Sequence, residues 1–144
     1  MKIYDSIALL LVCVCFCGCG NGNQQLSGKV TFPDGSPLNV GIVCFENAET
    51  NKMARGELNE NGVYVVGFES EKNGIPKGTY KVFITGAILE KGINEKTGLP
   101  VTEPQIAAKY SNKSTSGLTF TADGKTKTFD IVVEPLTEKK NILK

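Results

Sequence analysis

The side chains of this 144-residue chain that carry reactive chemistry are unevenly spread. Four of its five cysteines, Cys13, Cys15, Cys17 and Cys19, alternate near the amino terminus, and Cys44 stands apart. Histidine is absent. The usual general base near neutral pH and the commonest transition-metal ligand are therefore missing, which excludes serine–histidine and cysteine–histidine catalysis. Thiols two residues apart in an apolar segment lie too close together for a four-ligand zinc site. Glu57-Leu58-Asn59-Glu60-Asn61-Gly62 alternates oxygen-bearing side chains before a glycine, as a calcium loop does, but Val63-Tyr64-Val65-Val66 supplies no bidentate glutamate after it. A turn in which Asn and Gly accept positive φ accounts for the same residues. Among the aromatic residues, Tyr64, Tyr80 and Phe120 alternate with polar neighbours and read as core. Phe68, Phe83 and Tyr110 remain as candidates for a sugar-stacking surface. The expectation is a non-catalytic protein with no cofactor and no metal.

The amino-terminal cysteines sit in a recognisable order. Lys2 precedes an uncharged apolar run from Ile7 to Phe16, and Cys17-Gly18-Cys19-Gly20 follows. This pattern reads as an export signal. The run is shorter than the roughly 20 residues that span a bilayer as a helix. Phe16-Cys17-Gly18-Cys19 resembles the lipobox of bacterial lipoproteins, in which a small residue precedes a cysteine that receives a diacylglyceryl group. Phe16 stands where that motif usually has leucine. The resemblance implies a signal peptide over 1–18, lipid attachment at Cys19 and a flexible Gly/Asn/Gln-rich tether over 19–25. It places the protein on the cell membrane or outer membrane, facing the periplasm or the exterior. Two or more acyl chains hold a small domain durably on a bilayer. With the signal removed, Cys44 is left without a disulfide partner inside Ile42-Val43-Cys44-Phe45, where it reads as a small buried hydrophobe.

The elements that must position these residues are strands. Leu26, Gly28, Val30 and Phe32 alternate with polar neighbours, and Pro33-Asp34-Gly35-Ser36-Pro37 ends the run with a turn suited to a hairpin. Val40 to Phe45, Ala54 to Leu58, Val63 to Phe68, Gly78 to Ile84, Leu118 to Thr121 and Thr128 to Val133 follow, with turn residues between them. Tyr80, Val82 and Ile84 share one face of the Gly78 to Ile84 strand. The predicted core is Val30, Val43, Leu58, Tyr64, Tyr80, Val82, Leu118, Phe120, Phe129 and Ile131. Seven short alternating strands with no helical period predict an all-β, antiparallel Greek-key β-sandwich over 26–134, followed by a charged tail over 135–144. Lys29, Arg55 and Lys125-Thr126-Lys127 are expected to protect strand edges. With 16 basic against 15 acidic residues, no net field draws the chain to nucleic acid.

Leu26-Ser27-Gly28-Lys29-Val30, Asp34-Gly35-Ser36-Pro37-Leu38, Val40-Gly41-Ile42-Val43, Asn59-Glu60-Asn61-Gly62-Val63-Tyr64 and Gly78-Thr79-Tyr80-Lys81-Val82 together resemble a carboxypeptidase regulatory-like domain. That family has a transthyretin-like (prealbumin-like) sandwich fold, and the likeness covers about residues 26–86. Ile106-Ala107-Ala108-Lys109-Tyr110, Ser114-Thr115-Ser116-Gly117-Leu118 and Phe129-Asp130-Ile131 are similar to the closing part of small planctomycete lipoproteins. The resemblance implies a membrane-anchored, non-catalytic structural or protein-interaction module of the cell envelope. The alternative is a module that binds an envelope polysaccharide or peptide.

The segment 87–116 is the stretch that such a sandwich does not need. Gly92, Gly98, Pro100 and Pro104 predict irregular, mobile chain from Glu90 to Glu103. Ile106 and Tyr110, four residues apart, fall on one side of a helical turn. They are expected to pin that turn to the sandwich, and they are the candidate contacts for a partner.

Overall fold

The computed structural model describes residues 22–68 and 73–136. The fold is nearly all β. Among the described residues nine strands run in chain order: β1 Ser27–Thr31, β2 Ile42–Asn47, β3 Met53–Glu57, β4 Val63–Val65, β5 Gly78–Thr85, β6 Ile88–Ile93, β7 Pro100–Pro104, β8 Leu118–Ala122 and β9 Ile131–Val132. A 3-10 helix, Ala108–Ser111, precedes β8. The strands make a three-stranded sheet ordered β4-β1-β9, a four-stranded sheet ordered β3-β2-β5-β8, and a separate β6-β7 hairpin. All pairings are antiparallel except β1 with β9, which is parallel.

The two larger sheets face one another across a core centred on Phe45. Its ring lies 6.5 Å from Tyr80 and 6.0 Å from Phe120 on its own sheet. From the opposite side it meets Tyr64 at 6.0 Å and Phe129, just before β9, at 6.2 Å. Such aromatic pairs add about 0.5–1.5 kcal/mol each beyond the area they bury. Eight of the ten predicted core residues are buried, and Leu118 and Phe129 are half-buried against the same cluster. Phe45, Leu38, Ile75 and Ile84 are among the further residues buried in it.

The chain passes between the sheets at turns that its glycines dictate. Pro33 to Ser36 reverses the chain locally, with the Phe32 N–H bonded to the Ser36 carbonyl and Gly35 at φ 84°. The expected tight hairpin forms there but is short: Thr31 bridges Pro37 antiparallel and the Leu38 N–H bonds the Val30 carbonyl at 3.0 Å. It does not join β1 to β2, because β1 pairs with β4 and β9 while β2 belongs to the other sheet. After β4, Gly67 exchanges both backbone hydrogen bonds with Arg55 at 3.0 Å. The β3 edge is thus closed by backbone, where the expected guard was the Arg55 charge. Lys29 lies on β1, the centre of its sheet, and guards no edge.

Two further expectations are corrected. Glu90 to Glu103 is not irregular: β6 and β7 pair from Ile88–Pro104 to Ile93–Pro100, with a bulge between Glu90 and Gly92. The prolines stand at the two ends of β7, and Gly92, at φ 122°, sits in the bulge, positions where neither breaks a hairpin. The tether also ends earlier than residue 25, because Gln24 is buried and bonded to Ile75 in both directions at 2.7 and 2.8 Å. At the other end, Pro135 bridges to Ile106 and the Leu136 N–H reaches the Gln105 carbonyl at 3.1 Å, so Pro135 and Leu136, expected in the tail, belong to the domain.

Candidate functional site

Cys19 and the signal segment lie outside the described residues. Among the other predicted site residues, Ile106 and Tyr110 are 3% and 6% exposed. They pin the 3-10 turn as expected, but buried side chains do not offer themselves to a partner, so their assignment as partner contacts is corrected. The reason is local: Ala107 is tied to the Glu134 carbonyl at 3.0 Å, and the Tyr110 hydroxyl accepts the Glu134 N–H at 3.4 Å. The turn is thereby held against the core of the sandwich. Lys109, 4.9 Å from the Tyr110 ring centroid, bonds Glu134 at 2.9 Å, and that carboxylate holds the ammonium above its ordinary range.

The sugar-stacking candidates do not come together. Tyr110 is in the core, Phe68 and Phe83 are half-buried, and Phe68 lies under the Lys52 ammonium at 5.7 Å. Glu57 to Gly62 is the turn between β3 and β4. The Asn59 Oδ1 accepts the Asn61 and Val63 N–H groups at 3.0 and 2.9 Å, and Gly62 has φ 73°. Asp34 and Asp123 are engaged in the same manner. The Ser36 hydroxyl and N–H hold the Asp34 carboxyl below the usual range, and the backbone N–H groups of Thr126 and Lys125 do so for Asp123.

Cys44 is 5% exposed with its thiol free. It sits on the outer face of the four-stranded sheet, opposite Arg55 and Phe83. Burial pushes the thiol pKa up, an effect partly opposed by the Thr85 hydroxyl at 3.8 Å and the Arg55 charge.

The arrangement with consequences for function is polar. At one end of the sandwich, Gly22 to Gln24 enters beside Lys77 and the Asp123-Gly124-Lys125 turn. At the other end, Phe32 to Ser36, Glu103 to Gln105 and Pro135-Leu136 line a groove of about 520 Å³ at the foot of the hairpin. The eight residues of β5 connect these ends, a separation of roughly 26 Å at 3.3 Å per residue. Beyond the groove the hairpin carries Ile93 and Leu99 at 70% and 64% exposure. Sequence reading missed this outward apolar pair because it took their surroundings for loop.

Comparison with known proteins adds little to this geometry. No family model matches the chain, and no curated protein matches it. Among solved structures, a 9R-lipoxygenase from Cyanothece PCC8801 aligns with 78% of this chain and 16% of its own, at 15% identity and a TM-score of 0.34. A likeness at that level carries no argument about fold or activity.

Proposed function

We propose that this chain is a lipid-anchored cell-envelope lipoprotein whose domain is a non-catalytic structural or protein-interaction module. In this reading the three-stranded and four-stranded sheets are the seven strands of a Greek-key, prealbumin-like sandwich of the carboxypeptidase regulatory-like type, and the hairpin is an addition to it. The observation that carries the proposal is the opposition of the chain's entry at Gln24 to the hairpin with its exposed Ile93 and Leu99. An anchor at Cys19 leaves the hairpin facing away from the bilayer, where another envelope protein can reach it. An exposed apolar pair on a projecting element is a frequent mark of a protein contact.

Two measurements test the two halves of this reading. Cells fed an alkyne fatty acid should yield a labelled chain, and Cys19→Ala should abolish the label; a variant that keeps its label removes the anchor from Cys19. A photo-crosslinking residue placed at Ile93 or Leu99 should give a discrete protein adduct in cells. Adducts from neither position, with adducts from Val63 instead, would move the interaction off the hairpin.

A further inference from the structure

The distribution of charge between the two ends is uneven, although the described residues are electrically balanced. Among the described residues, the end where Gln24 enters carries Lys52, Lys77, Lys125 and Lys127 against Glu49 and Asp123. Lys52 and Glu49 belong there because the Asn47–Tyr80 register and the Ala48 bond to Thr79 place the β2-β3 turn beside the start of β5. Lys77 and Lys125 line one hollow with Gly22, Asn23 and Gln24. The Lys127 carbonyl accepts the Ser27 N–H at 3.0 Å, which puts this lysine beside the start of β1. The hairpin end is the reverse. Among the described residues, Asp34, Glu57, Glu60, Glu90, Glu95, Glu103 and Glu134 belong to that end with Lys91, Lys96 and Lys109, and two of these lysines are neutralised by Glu103 and Glu134 at 2.9 Å. Among the described residues, none of the four entry-end lysines forms an ion pair. All four side chains are exposed.

We infer that this lysine-bearing end is a membrane-facing surface that binds the phosphates of anionic lipids and holds the domain upright, with the acidic hairpin end repelled from the bilayer. The inference rests on the lipid anchor proposed above. Cys19 lies five residues before Gln24, so at full extension the entry end stays within about 18 Å of the acyl chains. Lysines held this near an anionic surface spend much of their time within its screening length of about 8 Å at physiological salt. Each then gains from the surface potential. The acyl chains supply attachment and the lysines supply orientation. A lipid surface fits this end better than a protein does, because the lysines spread over three separate segments as a shallow rim, and Asn23 and Gln24 lead directly out of it toward the anchor.

Lysine footprinting on the whole processed chain tests the inference without any substitution. The protein is mixed with vesicles of phosphatidylcholine alone, or with roughly 30% phosphatidylglycerol at the same total lipid; vesicles are floated, and exposed amines are acetylated and counted by mass spectrometry. In anionic vesicles Lys77, Lys125 and Lys127 should react about fivefold more slowly than in neutral ones, a change that about 0.5 M salt reverses. Lys96, in the hairpin turn, should react equally in both. Equal reactivity of the three lysines in the two vesicle types, or protection centred on Lys96, overturns the inference. Flotation separates it from the anchor: a chain that floats only with anionic vesicles contradicts the acyl anchor while upholding the lysine surface, and one that floats with neither contradicts both.

Discussion

The hydroxyl of Tyr64, on β4, donates a hydrogen bond to the carbonyl of Phe129, which lies 65 residues further along the chain at the approach to β9. Both residues flank β1 and both rings reach Phe45 in the opposite sheet, so this single bond ties the edges of one sheet to the centre of the core. Burial, with the Asp130 carboxylate adding to it, pushes the phenol pKa well above its ordinary value. The hydroxyl therefore remains a donor throughout the neutral range. Tyr64→Phe keeps the ring and leaves the Phe129 carbonyl without this donor, which should cost about 1–2 kcal/mol. Urea unfolding should show a lower midpoint with an unchanged slope.

Gly28 makes that approach possible. A Cβ there would stand 2.0 Å from the Phe129 oxygen and 2.7 Å from the Tyr64 hydroxyl. Gly28→Ala should therefore destabilise the fold by about 3 kcal/mol or more, since backbone must move to admit a single methyl group. Gly22→Ala, where nothing lies within 4 Å, should leave the melting temperature unchanged. Equal effects of the two substitutions would show that the β1–β9 approach is looser than drawn.

Cys44 should resist bulky thiol reagents in the folded protein and react at once in denaturant. Its raised pKa fixes the sign of one pH effect. The thiol ionises more easily unfolded than folded, so the contribution of its neutral form is complete below about pH 9 and is lost as pH rises toward the folded value. Cys44→Val should change stability by less than about 1 kcal/mol and flatten this alkaline limb. Cys44→Asp should cost several kcal/mol, at about the level of any unpaired charge forced into a dry site. Rapid modification of the native thiol would contradict its burial.

Asp123, like Asp34, contributes to the acid limb in the opposite sense. Its folded pKa is depressed, by the Thr126 N–H first and the Lys125 N–H second. Its stabilising contribution is therefore present above the ordinary carboxylate value of about 4 and lost as pH falls through the folded one. Asp123→Asn, which keeps a turn-capping oxygen, should be harmless near neutrality and should make acid unfolding shallower. An unchanged acid limb would mean that the turn does not depend on the carboxylate charge.

How much of this was legible in the residues depended on periodicity. Tyr80, Val82 and Ile84 alternate with exposed or half-buried partners, so the inward face of β5 could be read directly, as could Tyr64 and Ile131. Val40 to Phe45 is apolar on both faces, and that concealed Phe45 as the centre of the core. Its ring points inward while Cys44 is covered on the other face. Gln24 escaped notice because a polar residue in an Asn/Gln-rich segment gives no sign of burial; its bonds to distant residues, Ile75, Gly124 and Thr126, tie it down. The β6-β7 hairpin was hidden by its composition, since Gly92, Pro100 and Pro104 count against a strand unless their places in the bulge and at the strand ends are known. The partner contacts given to Ile106 and Tyr110 failed for a related reason: spacing alone cannot tell a pinned face from a presented one.

The hairpin is the last and most separable feature. Its strands bond each other from Ile88 to Pro104, but apart from half-buried Leu89 its side chains are exposed and rest on no sheet. A two-stranded hairpin is marginal on its own, so it contributes little to the stability of the body that carries it. At its foot the Gln105 N–H bonds the Ala87 carbonyl at 2.9 Å, which means that residues 88–104 can be replaced by a two-residue turn with the ends already aligned. Such a chain should melt within about 2 °C of the parent. It should also lose the adducts expected from Ile93 and Leu99. Limited trypsin should cut the parent first at Lys96, in the exposed turn, and spare Lys109. Ile106→Ala, two residues beyond the excised segment, should by contrast cost about 2–5 kcal/mol, because that side chain fills the core. If excision unfolds the protein while Ile106→Ala does not, the hairpin is a structural strut, and the partner must be sought elsewhere on the surface.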